Sequence, residues 1–310
     1  MSALAARLSA LRAQAGVVEA TPPGTVPAAY EPSASALTSP LASPIPEQLR
    51  RLLGRSSASC ARGTSASLHV GIRVRSQARL LALDRQLPGA EIADGLRLIE
   101  RHYPWPDIPV AVNAQFAGFG RIDRSQLMYF DTETTGLSGG TGTRAFMIGV
   151  ADCSEAGLRV RQLLITTLAA EAAMLQAFSR WLDPAMTLVS YNGKSYDAPL
   201  LATRFRLNRL PNPMSTLRHL DLLYPVRRRF RGVWENCRLG TVEREWLGVV
   251  REDDLPGSEA PRAWRDYLRG LSARDLRRVG EHNDQDLRSL AALLLRLGET
   301  DSLRLGGEVH

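Results

Sequence analysis

The sequence predicts an α/β domain, a mixed β-sheet of about five strands flanked by helices, behind a disordered Pro-rich N-terminal segment. Three observations carry that prediction. Three strand-like apolar runs come first, between residues 127 and 166; strand-like and helical spacing then alternate; and residues 20 to 48 hold seven prolines among Ala, Ser and Thr.

Taken in order, residues 2 to 15 space Leu4, Leu8 and Leu11 as a short amphipathic helix. Residues 20 to 48 carry almost no charge or aromatic content, so they cannot bury enough apolar surface to offset chain entropy, and disorder is expected through residue 48. Residues 49 to 120 read as an Arg-rich extension laid against the main domain, with a helix over 92 to 102 ahead of Pro104-Trp105-Pro106. The main domain is expected over 121 to 300 and a tail over 301 to 310. Within it, 127–130, 145–151 and 158–166 read as strands and 169–182 as a helix. A further strand at 187–191 leads into a helix over 197–208, and a long last helix over 273–297 opens on Ser272 as N-cap.

Length and composition exclude several classes. A chain of 310 residues can bury a sizeable core, unlike a disulfide-stapled miniprotein. No apolar run approaches the ~18 residues that cross a bilayer, the longest being stretches such as 290 to 295. Arg7 and Arg12 interrupt the N-terminal leucines where a secretory signal needs an unbroken apolar run, so no membrane and a cytoplasmic location are expected. Cys60, Cys153 and Cys237 are far apart and odd in number, which suggests neither a zinc site nor a disulfide framework. The formal charge is +7, and of 39 basic residues only Lys194 is a lysine. Arginine pairs bidentately with phosphate and stacks on bases, which suits a nucleic-acid partner. A GC-rich coding sequence produces the same arginine excess without that function, so the net charge is the better signal.

The acids carry more. Asp131 and Glu133 end an apolar strand two residues apart, and period-two alternation puts them on one face. Two carboxylates at the edge of a core need positive charge between them, for which Mg²⁺ or Mn²⁺ is the usual oxygen-liganded candidate. The Gly139-Gly140-Thr141-Gly142-Thr143 stretch lacks Gly-Lys-Ser/Thr and precedes a strand, so it reads as a tight connection between antiparallel strands, not a phosphate loop. Asp197 lies in an early helical turn, two residues before Pro199, where an N-cap role explains it without chemistry. In the last helix Val279, His282, Asp286, Leu290, Leu293 and Leu297 recur at helical steps, and His282 and Asp286 interrupt an otherwise apolar stripe. A pair one turn apart on a buried stripe points to a site that the helix crosses; Asp284 lies on another side and is set aside. Asp221 reads as structural, Trp234, Trp246 and Trp264 as core. Arg227-Arg228-Arg229-Phe230-Arg231 reads first as a solvated face and second as a track for a phosphate backbone.

Asp131-x-Glu133, Asn192-Gly193-x-x-Tyr196-Asp197 and His282-x-x-x-Asp286 resemble, in order and setting, the three motifs of the DEDD exonucleases of the RNase H-like superfamily. The surroundings narrow the likeness: Asp131-Thr-Glu-Thr-Thr-Gly with Gly-Gly-x-Gly-Thr after it, Leu247-Gly-Val with Arg251-Glu-Asp-Asp-Leu-Pro-Gly, and His282-Asn-x-x-Asp286-x-x-Ser289-Leu290 look like the YprB-type proteins. The resemblance runs from residue 87 to 297. Its histidine stands at the four-residue spacing more familiar from the tyrosine branch of the group.

The resemblance implies an RNase H-like sheet and two divalent ions, Mg²⁺ or Mn²⁺, held by Asp131, Glu133, Asp197 and Asp286. It gives His282 the task of accepting or orienting the proton of the attacking water. Thr134, Leu137, Asn192 and Tyr196 become the candidates for holding the terminal nucleotide. The implied activity is 3′-to-5′ hydrolysis of nucleic acid, DNA before RNA, in repair and beside a helicase. Two alternatives stay open: a ribonuclease or structure-specific endonuclease with the same site, and a non-catalytic nucleic-acid-binding or helicase-accessory module. A binding module would tolerate loss of the acids, and all four are present.

Overall fold

The structure, a computed structural model, describes residues 47–53, 84–136, 141–252 and 254–306. The expected N-terminal helix and all but the end of the Pro-rich segment lie outside these residues. Helix α1 (Glu47–Leu53) begins inside the last two positions of that segment; it buries Leu49, Leu52 and Leu53.

The main sheet has seven strands: β1 (Ala90–Ala93), β2 (Leu96–Pro104), β5 (Leu127–Thr134), β6 (Ala145–Ser154), β7 (Gly157–Ile165), β8 (Thr187–Ser190) and β9 (Arg218–Asp221). A separate ribbon pairs β3 (Ala111–Asn113) with β4 (Arg121–Asp123). The strand order is β1-β2-β7-β6-β5-β8-β9, antiparallel as far as β5 and parallel from β5 to β9. The expected mixed α/β sheet is present.

Residues 92–102 are the one element whose type differs from expectation. They are not a helix but parts of β1 and β2, and β2 pairs with β7 over its whole length. Asp94-Gly95 forms the turn between β1 and β2, with Gly95 at φ 69°, the backbone region such hairpins require. That two-residue signal and the ladder to β7 override the helical steps of Ile92, Leu96 and Ile99. This part of the expected extension is therefore built into the sheet and carries it past the expected five strands.

Alternation along β5 divides the core in two. Leu127 and Tyr129 join one buried cluster with Val226 and Phe230 of α4 (Leu223–Phe230) and Val242 of α5 (Leu239–Val242). Met128 and Phe130 join the other, with Met174 and Phe178 of α2 (Glu171–Ser179), Leu201 and Phe205 of α3 (Asp197–Leu207), and Trp264 of α6 (Ala260–Leu268). The long helix α7 (Arg274–Gly306) serves both: Leu276 and Val279 pack in the second cluster, Leu287 to Leu297 in the first. Ser272 Oγ accepts from the Arg274 amide (3.2 Å) at its start. Trp246 and Trp264 are buried, and Trp234 stacks on Phe230 with centroids 3.8 Å apart. Among the described residues no helix is long and apolar enough to cross a membrane.

Candidate functional site

The site grows from the end of β5. Asp131 faces Gly149 of β6 across the ladder, and Gly149 faces Gln162 of β7, so the three form one row across the sheet. The middle position has no side chain for a reason: a Cβ at Gly149 would stand 2.0 Å from Asn283 Oδ1 and 2.9 Å from Leu287 Cδ1. Glycine there lets α7 lie on the strand and Asn283 enter the gap. Gln162 Nε2 donates to Asn283 Oδ1 (2.9 Å) and to the Gly280 carbonyl (2.7 Å), and Asn283 Nδ2 donates to Asp131 Oδ2 (2.9 Å). Gln162 and Asn283 are fully buried. With its oxygen committed to Gln162, the Asn283 amide can only donate to the carboxylate.

Thr132, one residue on, faces the opposite side of β5, and its hydroxyl donates to Asp197 Oδ1 in the first turn of α3. The turn before α3 is shaped by buried Asp221: Oδ1 accepts from the Asn192 and Leu223 amides (2.7 and 3.1 Å), Oδ2 from the Lys194 amide (3.0 Å). Asn192 sits there at φ 65°, a conformation asparagine tolerates better than most residues. Asp221 is thus structural. Thr134 Oγ1 donates to the Gly136 carbonyl (2.8 Å), and Tyr196 is 62% exposed. Leu137, Gly139 and Gly140 fall outside the described residues.

On α7, His282 and Asp286 stack one turn apart, Nε2 3.6 Å from Asp286 Oδ2. Four residues with no role assigned from the sequence surround them: Glu243, Arg251, Asp254 and Ser289. Arg251 pairs with both oxygens of buried Glu243 (2.7 Å each) and with Asp286, and lies 3.4 Å from Asp254 Oδ2. Ser289 Oγ donates to Glu243 from the next turn of α7. His282 Nδ1 lies 2.7 Å from Asp254 Oδ1 and 3.0 Å from Arg251 Nη1. The guanidinium can only donate to Nδ1 and the carboxylate can only accept from it; the shorter contact, to Asp254, favours the proton on Nδ1 and leaves Nε2 toward Asp286. The signal for Arg251 and Asp254 was the Arg251-Glu-Asp-Asp-Leu-Pro-Gly wording and that for Ser289 the wording after His282, while nothing local marks Glu243 and no periodicity says where the loop folds. Asp284, buried on another side of α7, takes Tyr103 Oη (2.6 Å), Arg101 (3.3 Å) and Arg288 (3.0 Å) and ties β2 to the helix.

Asp131, Glu133, Asp197 and Asp286 lie close enough for the charges to act on one another. Burial, then the charges of Asp286 and Asp197, hold the Asp131 carboxyl well above the carboxylate range. Glu133 is raised likewise by burial and then by Asp131, Asp286 and Asp197. Burial lifts Asp197 to about 6 against the hydrogen bond from Thr132. Burial works against the imidazolium of His282, but the Asp254 hydrogen bond and the Asp286 charge outweigh it, so His282 titrates above its usual value. In Asp254 burial is likewise outweighed, by His282 and Arg251, and its carboxyl is held low.

An all-carboxylate set that resists its own ionisation has the donor chemistry of a hard divalent cation site. It is not drawn together as a cage: among the described residues no three His, Cys, Asp or Glu side chains are arranged to hold an ion. Arg251 engages Asp286, and Thr132 engages Asp197.

The fold and the acids at the end of its central strand define an α/β protein of RNase H-like design. The model of the RNase_H superfamily matches residues 128–297, more than half of the chain, and the chain belongs to that superfamily. It is 37% identical over 179 residues to the uncharacterized protein YprB of Bacillus subtilis (strain 168), a match covering 57% of this chain and 43% of that protein. The chain thus spans less than half the length of this relative. Among solved structures it is similar to the family B DNA polymerase of the hyperthermophilic archaeon Pyrobaculum calidifontis, with 18% identity, a TM-score of 0.44, and coverage of 55% of this chain and 24% of that one. It is also similar to an ExoI/SSB-Ct complex, with 17% identity, a TM-score of 0.34, and coverage of 52% and 44%.

Proposed function

We propose that the protein is a metal-dependent 3′-to-5′ exonuclease that hydrolyses phosphodiester bonds, with DNA favoured over RNA. The observation that carries this reading is the gathering of Asp131, Glu133, Asp197 and Asp286, from the end of one strand and from two helices, beside a histidine contacted by Asp254. Superfamily membership supports nuclease-type chemistry on nucleic acid.

Asp131, Glu133, Asp197 and Asp286 would hold two divalent ions, Mg²⁺ or Mn²⁺, which when bound supply an activated water and neutralise the leaving oxygen. His282, its Nδ1 proton committed to Asp254, presents Nε2 as the base for that water. Asn283 donates to Asp131, favouring its ionised form against burial and fixing its orientation. Arg251 holds Asp286 in reach and balances the charge of Glu243. Thr134, Asn192 and Tyr196, with Leu137, are the side chains assigned to the terminal nucleotide, and a helicase is the assigned partner.

The test is a time course on 5′-labelled single-stranded DNA and on RNA of equal sequence, with Mg²⁺, Mn²⁺ or EDTA, beside Asp131→Ala. A metal-dependent ladder shrinking from the 3′ end, absent in the variant, is the expected result. Internal cuts would replace the exonuclease by an endonuclease, and binding without cleavage of either polymer would leave an accessory module.

A further inference from the structure

We infer that the exposed face of α4 is a track for a single strand of nucleic acid leading to the acid cluster. Tyr224, Arg227 and Arg228 recur at helical steps and are exposed, and exposed Arg231 follows directly after the helix, where the backbone turns extended. Their helix starts at the catalytic turn: Asp221 accepts from the amides of both Leu223 and Asn192, and Tyr224 Oη lies 3.4 Å from Ser195 Oγ, two residues from Asp197. Tyr196, 62% exposed, and Tyr224, 49% exposed, stand where the stripe meets that turn, with exposed Lys194 beside them.

Two features set this stripe apart from a solvated charged face. Several exposed or half-buried arginines elsewhere carry acidic partners, among them Arg144 with Glu171, Arg159 with Asp152, Arg244 with Glu235 and Arg262 with Glu259, while other exposed arginines such as Arg121 and Arg206 stand apart from any exposed aromatic side chain named at this turn. Among the described residues Arg227 and Arg231 make no ion pair, while Arg228 donates to the Phe116 carbonyl. Arginines left without counter-ions on one side of a helix suit phosphates. The second feature is the exposed tyrosines, which offer stacking faces. A duplex keeps its bases stacked on each other, so aromatic platforms within a basic track fit an unpaired strand.

The helical part of the stripe, Tyr224 to Arg228, is about 6 Å long at 1.5 Å per residue, and with Arg231 just beyond the helix the stripe spans roughly three nucleotides at 3.4 Å each. A strand must therefore extend beyond the terminal residues at the acids before α4 contributes. This inference rests on the hydrolase reading for placing the strand's end at the acids; its test measures binding alone.

Fluorescence anisotropy of the full chain in EDTA, with labelled single-stranded DNA of three and twelve nucleotides, compares the wild type with Arg227→Glu/Arg231→Glu. The expected result is a loss of about tenfold or more in affinity for the twelve-mer and none for the three-mer. The log–log salt slope should also become shallower by about 1.4, two phosphate contacts at about 0.7 each. Arg180→Glu/Arg274→Glu changes the net charge equally and should cost far less, while Tyr224→Leu should weaken the twelve-mer without altering the salt slope. Equal losses in the two charge-reversed proteins, an unchanged twelve-mer affinity, or no strand binding by the wild type would each overturn the inference. Cleavage is scored separately: a wild type that binds through α4 and cuts nothing refutes the exonuclease and leaves the track standing, and one that cuts with α4 irrelevant does the reverse.

Discussion

Asp254 Oδ1 lies 2.7 Å from Nδ1 of His282, so a loop acid, with no periodic signature of its own, decides which nitrogen of the candidate base faces Asp286. Carboxylate–imidazole pairing of this kind fixes the tautomer and ring orientation of a base. Asp254→Ala should lower kcat by about 10- to 100-fold, within the range general-base catalysis supplies, with KM little changed. Asp254→Asn, which keeps an acceptor, should lose less. Since Asp254 helps hold His282 above its usual value, its removal should move the acid limb of the kcat profile to lower pH. Steady-state kinetics across pH 5 to 9 decides the matter, and an unmoved limb would remove Asp254 from the chemistry.

Asp131 is central to the acid cluster and is turned by Asn283. Asp131→Ala should abolish metal-dependent cleavage, by about 1,000-fold or more, and leave single-strand binding in EDTA intact. Asn283→Ala removes only the orienting donor, so an intermediate loss is expected. A gel time course on one labelled substrate compares all three proteins, and full activity in Asp131→Ala would dispose of the two-metal assignment.

Gly149 admits α7 to the sheet, and a methyl group there meets Asn283 and Leu287 at distances that backbone and helix must move to relieve. Gly149→Ala should destabilise the fold by about 1–3 kcal/mol, the range of overpacking, and lower the melting temperature by roughly 2–10 °C. It should also impair cleavage beyond what the lost stability explains, because Asn283 and His282 ride on the displaced helix. Calorimetry that finds a wild-type melting temperature would contradict the close packing.

The acids make a pH prediction with a definite sign. Asp131, Glu133 and Asp197 have carboxyls raised in the folded state, the last to about 6, so the native protein binds more protons than the unfolded chain. Their contribution to stability is present below the unfolded values, near 4, and is lost as pH rises through the folded values. In EDTA the melting temperature should therefore fall between pH 5 and 7.5 through these groups, and Asp131→Asn should flatten the fall. Mg²⁺ or Mn²⁺ should raise it more at pH 7.5 than at 5, where protons compete with the ion. A metal response independent of pH would place the ion elsewhere.

Local repetition accounts for what could be read without coordinates. Period-two spacing showed Asp131 and Glu133 on one face of β5, and helical spacing showed His282 and Asp286 on one stripe of α7, because each pattern lies within a few residues of chain. The same reliance on local spacing misread 92–102, where the Asp94-Gly95 turn and the ladder to β7 prevail over the helical steps of Ile92, Leu96 and Ile99.

By itself the sequence determined the α/β class, the strand and helices bearing the acids, the basic charge, and the likeness to a nuclease superfamily. All of these are properties of composition, period or ordered motif. Tertiary structure alone decided that Gly149 makes room for Asn283, that Gln162 turns Asn283 onto Asp131, and that Glu243 anchors Arg251 beside Asp254 and His282. Those contacts join residues up to 152 positions apart. Nothing local encodes them: a buried polar group takes whichever partner the packing of sheet and helix brings within hydrogen-bond reach.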